Sequence, residues 1–107
     1  MNMSKINNPL LSVCITAYNQ EKYIKECIEG VLNQKTTFHF EILIGEDDSN
    51  DNTRKICKNY AEKFPDKIKL FLRDRKDVIY LNNHATGAFN FIENLKSAKG
   101  KYLALCD

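Results

Sequence analysis

Apolar residues along this chain alternate between short continuous runs and stripes of helical period. Leu10-Leu11-Ser12-Val13-Cys14-Ile15-Thr16-Ala17 follows Pro9 as a nearly unbroken apolar run, the pattern of a strand buried on both faces. Tyr23, Ile24, Cys27, Ile28, Val31 and Leu32 then recur at spacings of one and three, with Lys22, Lys25, Glu26 and Glu29 on the opposite side of the predicted helix. Asn19 is its expected cap and Glu21 an acid of its first turn. Phe40 to Ile44 predicts a second strand, ending at Gly45. A second helical stripe, Ile56, Cys57, Tyr60, Ala61 and Phe64, stops at Pro65. Ile68 to Leu72 is a third strand, and the charged stretch from Arg73 to Asn83 reads as a loop. Ala88, Phe91, Ile92, Leu95 and Ala98 form a third stripe, closed by Lys99 and Gly100, before a last strand over Tyr102 to Cys106.

Strands alternating with helices predict an α/β fold of three layers, Rossmann-like, with a mainly parallel sheet, helices on both faces and right-handed crossovers. Ligands of such folds bind beyond the carboxyl ends of the strands. Three polar groups fall there: Thr16 to Glu21, Glu46 to Asp51, and Asp107. Residues 1–9 read as a polar tail and residues 10–107 as one domain. The last strand has nothing after it to cover its edge and one face. The sequence therefore predicts the truncated front portion of a larger domain, with self-association through the open edge.

The length, 107 residues, suits one small domain. Sixteen basic and fourteen acidic side chains leave a formal charge of +2, too small to imply a nucleic-acid partner. No run approaches the ~18 apolar residues of a membrane helix, and Met1 to Pro9 lack a signal-peptide core, so the expected location is cytoplasmic. Residues 54–76 carry nine basic and three acidic side chains. They read as a solvated face that could also meet anionic lipid at the inner face of a membrane, or a lipid-diphosphate acceptor. Cys14, Cys27, Cys57 and Cys106 form no Cys-x-x-Cys pair and each sits in an apolar segment, which predicts four buried thiols and neither a zinc site nor a redox motif.

The turn after the first strand, Thr16-Ala17-Tyr18-Asn19-Gln20, has no glycine, so neither a dinucleotide fingerprint nor a phosphate-binding P-loop is present. A bound nucleotide would need its phosphates neutralised by a metal held on carboxylates. Glu46, Asp47 and Asp48 are consecutive acids whose repulsion calls for a cation or a hydrogen-bond donor. Ser49 and Asp51 read as helix caps, and Asp47, nearest the strand end, as functional. Tyr18 can offer ring or backbone to a base or ribose, or simply cover the core. His39 and His84 have no partner at ligand spacing.

These residues resemble a known family. Ser12 to Ile24 is similar to the opening motif of family 2 glycosyltransferases, which have a GT-A fold. Glu41 to Thr53, an apolar strand running into acids, resembles their second motif, and Lys99 to Asp107 the lead-in to their metal-binding Asp-x-Asp. The resemblance implies transfer of a sugar from a nucleotide-sugar, favouring a UDP-sugar, to a glycan or lipid-linked acceptor. It implies Thr16, Ala17, Tyr18, Glu21 and Asp47 at the nucleotide, with Asp47 accepting a hydrogen bond from the base. It implies Asp107 as the first acid for Mg2+ or Mn2+, with the remaining metal acids and the catalytic base beyond it. Glu46 stands where the family has Asp, and Asp48 where Gly is usual. Two alternatives compete: a receiver-type signalling domain binding Mg2+, and a dinucleotide-dependent oxidoreductase, which the missing glycines disfavour.

Overall fold

The computed structural model of the chain describes residues 9–74, 80–81, 84–85 and 87–106. The elements are β1 (Leu11–Ala17), α1 (Ile24–Leu32), β2 (Phe40–Asp47), α2 (Thr53–Lys63), β3 (Ile68–Arg73), β4 (Tyr80–Leu81), β5 (His84–Ala85), α3 (Gly87–Ser97) and β6 (Tyr102–Cys106). One parallel sheet has the order β3-β2-β1-β6. The chain steps outward from β1 to β3, then returns to the other side of β1. With right-handed crossovers this puts α1 and α2 on one face and α3 on the other. Accordingly α1 packs on α2, while α3 packs on β1 and β2. A receiver-type domain would carry its third strand beside β1; here β6 holds that place, which removes this alternative.

Strand alternation sorts the core. Val13, Ile15, Ala17, Ile42, Ile44 and Ile68 face α1 and α2 and pack with Ile24, Ile28 and Cys57. The pairings Val13 with Ile42 and Ile42 with Ile68 make a continuous apolar row across three strands. On the opposite face Cys14 and Leu43 are buried beneath α3. Among the α3 residues whose burial is described, Ile92 and Leu95 of the predicted stripe are exposed and Asn94 is fully buried.

At the amino ends of the strands a polar cluster ties the α3–β6 connection to the sheet. The Glu41 carboxylate accepts from Ser12 Oγ at 2.5 Å, Lys69 Nζ at 2.9 Å and the Lys99 amide at 2.6 Å. Burial opposes its charge, but the Ser12, Lys99 and Lys69 donors outweigh that and hold its carboxyl below the usual range. The Gly100 amide donates to Ser12 Oγ at 2.7 Å. A Cβ on Gly100 would lie 2.5 Å from the Ser12 backbone nitrogen, so only glycine permits this approach.

Several expectations are corrected. β2 runs two residues past its predicted end at Gly45, because Ala17 on one side pairs with Glu46, and Leu72 and Arg73 on the other pair with Glu46 and Asp47. β4 and β5 form an antiparallel pair within and just after the stretch read as loop, two residues per strand and too short to leave a periodic signal. α1 begins at Ile24 with Tyr23 before it and no side-chain cap. Asn19 lies outside the helix, in the left-handed region at φ 49°. Cys14 and Cys57 are buried as expected, whereas Cys27 and Cys106 are only partly so. Among the described residues no helix is long and apolar enough to cross a membrane.

Candidate functional site

At the carboxyl rim of the sheet, the segment after β1 and the segment after β2 are laced together. The Asn19 amide donates to Ser49 Oγ at 2.9 Å, and the Asn50 amide returns to Asn19 Oδ1 at 2.8 Å. The Gln20 amide donates to Thr53 Oγ1 at 2.7 Å and the Glu21 amide to Asp51 Oδ2 at 3.3 Å. Asn52 Nδ2 donates to Glu21 Oε2 at 3.0 Å. Asp51 also accepts from the Thr53 amide at 2.9 Å, the N-terminal role expected of it at α2. Ser49 does not cap; it bridges the two segments. Asn19 and Asp48, at φ 49° and 58°, take the left-handed turns, which short polar side chains tolerate better than other non-glycine residues. The polar residues of both segments thus satisfy each other's backbone and fix the shape of the rim.

The three consecutive acids are separated by strand alternation. Glu46 points to the α2 side and is completely buried. Arg54 Nε of α2 donates to it at 2.9 Å, and the Ser49 amide and hydroxyl also donate to it. The cation that this acid required is therefore a side chain of the same domain. Asp47 points to the opposite face, in register with Arg73 of β3, and is only 6% exposed. Arg73 is half-buried and its Nη1 donates to Asn94 Oδ1 at 2.8 Å. Asn94 Nδ2 in turn reaches the carbonyls of Ile15 at 3.2 Å and Leu43 at 3.4 Å. Burial pulls the Arg73 pKa down, while the charges of Glu93 and Asp47 push it up. A guanidinium stays protonated under such shifts, so Asp47 faces a fixed cation.

The five residues expected at a nucleotide converge on this rim with different capacities. Asp47 and Thr16 lie on the α3 face of the sheet, where Thr16 pairs with Gly45. Tyr18 stands at the edge with 39% of its surface exposed. The methyl of Ala17 is packed into the core, leaving only its backbone to a ligand. Glu21 is exposed, with its amide and carboxylate both engaged in the lacing. Asp107, the expected metal acid, lies outside the described residues. Among the described residues no three His, Cys, Asp or Glu side chains gather to hold a metal ion. Beside the rim a cavity of about 350 Å³ is lined by Ile15, Gln20, Tyr23, Ile24 and Cys27.

Arg54, Arg73 and Asn94 are the members that sequence reasoning missed. Arg54 and Arg73 were hidden in a basic run that reads as solvated surface. Asn94 did leave a signal: it lies three residues from Phe91 and four from Ala98, on the apolar stripe of α3.

The family described as Glycosyl transferase family 2 matches residues 12–107. The uncharacterised Mycobacterium bovis protein Mb1547 is 37% identical over 97 residues, covering 91% of this chain and 26% of the relative. The minor teichoic acid biosynthesis protein GgaB of Bacillus subtilis is 33% identical over 97 residues, covering 90% of this chain and 10% of the relative. The chain thus spans about a quarter of the length of the first and a tenth of the second. Among solved structures, the mannosyltransferase PcManGT from Pyrobaculum calidifontis, in complex with GDP-Man and Mn2+, superposes with a TM-score of 0.63 at 20% identity. That match covers 85% of this chain and 25% of the other, and shares the α/β fold.

Proposed function

The chain belongs to glycosyl transferase family 2, and from that premise we propose that it forms the nucleotide-binding half of an enzyme moving a sugar from a UDP-linked donor to a glycan or lipid-linked acceptor. The observation that carries this reading is the laced rim at the carboxyl ends of β1 and β2, where Asp47 and Arg73 stand in register. It lies where α/β sheets bind ligands, beside the point at which the strand order reverses between β1 and β6. Asp47 accepts the N–H at the Watson–Crick edge of uracil, with Arg73 beside it across the β2–β3 register. Tyr18 covers the base or ribose. The backbone from Thr16 to Tyr18 lines the site, since the Ala17 side chain is withdrawn into the core.

A divalent ion, Mg2+ or Mn2+, is proposed to engage Asp107, supplying charge neutralisation for the departing diphosphate; the Mn2+ of the Pyrobaculum calidifontis mannosyltransferase complex supports this choice of chemistry. The teichoic acid role in the name of GgaB supports an acceptor in cell-surface polysaccharide synthesis. The cytoplasmic face of a membrane is the proposed setting, with exposed lysines of α2 such as Lys55 and Lys58 available to anionic lipid.

The test compares this 107-residue chain with a version continued to the length of its relatives. The expected outcome is UDP release from UDP-sugars by the longer protein with Mn2+ present, and none by the 107-residue chain. Release only from CDP-linked donors would overturn the choice of nucleotide, and no release from any sugar nucleotide would overturn the activity.

A further inference from the structure

Cys27 of α1 and Cys106 at the end of β6 are 79 positions apart in sequence, yet their sulfurs are 2.8 Å apart. The register explains the meeting. Cys106 pairs with Ile15, on the face that α1 covers, and both cysteines pack against the same apolar core. The two sulfurs need only a small further approach to reach covalent bonding distance. Cys27 also lines the 350 Å³ cavity beside the rim, which gives a small oxidant a route to it.

We infer that Cys27 and Cys106 are an oxidation site, closing to an intramolecular disulfide in the presence of hydrogen peroxide and reopening with a thiol reductant. In the first step peroxide converts one thiol to a sulfenic acid and leaves as water. In the second the other thiol displaces the sulfenic hydroxyl as water, so two S–H bonds are exchanged for one S–S bond and one peroxide is reduced to two waters. The remaining cysteines are internal controls. Cys14 and Cys57 are 2% and 0% exposed. Burial pushes both thiols up, Cys57 to about 12, with the charges of Glu41 and Glu46 respectively adding to the effect. Their reactive thiolate forms are therefore scarce. The bond would fasten α1 to the strand end that leads directly into Asp107. Its formation does not rest on the proposed sugar transfer, and its test needs no turnover.

The 107-residue chain is treated with hydrogen peroxide, unfolded, alkylated with N-ethylmaleimide and mapped by mass spectrometry. The expected result is a monomer lighter by two hydrogens before alkylation, one linked peptide pair containing Cys27 and Cys106, and label on Cys14 and Cys57 only. Dithiothreitol should restore four labelled cysteines. The oxidised chain should melt about 5 °C or more higher, because the crosslink closes a long loop in the unfolded state. Cys27→Ser and Cys106→Ser, each checked for native circular dichroism, should both lose the linked peptide. A linkage through Cys14 or Cys57, a disulfide between two chains, or sulfinic acid without any S–S bond would overturn the inference.

Discussion

Asp47→Ala is expected to erase the preference of the longer enzyme for UDP over CDP. Uracil presents an N–H at the Watson–Crick position where cytosine presents a bare ring nitrogen. A carboxylate accepts from the first and repels the second. A buried polar mismatch of this kind costs about 1–3 kcal/mol, roughly five- to over a hundredfold in affinity. Asp47 can impose it because it is almost fully buried and stands in register with Arg73. The substitution should leave contacts to the diphosphate in place, so affinity for UDP falls toward that for CDP while both nucleotides still bind. Titration calorimetry of both proteins with both nucleotides reads this directly. Equal affinity for UDP and CDP in the unsubstituted protein would reduce Asp47 to a structural acid at a strand end.

Glu46→Ala is expected to be the most destabilising single change at the rim. The carboxylate is fully buried, and its removal strips Arg54 and Ser49 of their acceptor. Breaking a buried ion pair by deleting one partner costs about 3–5 kcal/mol, a large share of the ~5–15 kcal/mol that stabilises a domain. Arg54 also holds the Arg73 carbonyl at 2.8 Å, so the loss should propagate to the end of β3. Urea denaturation of Glu46→Ala, Arg54→Ala and the double variant gives the coupling. If Glu46→Ala costs less than about 1 kcal/mol, Arg54 is being satisfied by solvent and the anchoring role assigned to the pair is wrong.

How these acids divide their work shows what the sequence could and could not disclose. The four strands of the parallel sheet and the three helices, apart from some of their ends, follow from apolar runs and helical stripes, because burial imposes those periods directly. The location of the site follows as well: parallel strands bring Thr16 to Glu21 and Glu46 to Asp51 to one rim whatever the details. The partner of each acid was not legible. Glu46 and Asp47 are neighbours in sequence, and only their position inside an extended β2 sends them to opposite faces. The strand was expected to end at Gly45, which would have left both in a loop. Asn19 has the composition of a helix cap, but tertiary hydrogen bonds from Asn50 and to Ser49 hold it in a left-handed turn before the helix. Arg73 looked like solvated charge because its acceptor, the buried Asn94 side chain, is 21 residues away and nothing near Arg73 in sequence points to it.

That the carboxyl rim of β1 and β2 receives the donor's base is tested most directly on the 107-residue chain itself, by following proton–nitrogen correlation spectra while UDP is added in Mg2+ buffer. The predicted result is saturable movement of the amides from Thr16 to Glu21, Gly45 to Ser49 and Arg73, with no movement at the opposite rim around Ser12, Glu41 and Gly100. The contradicting result is the absence of any saturable shift, or shifts confined to that opposite rim.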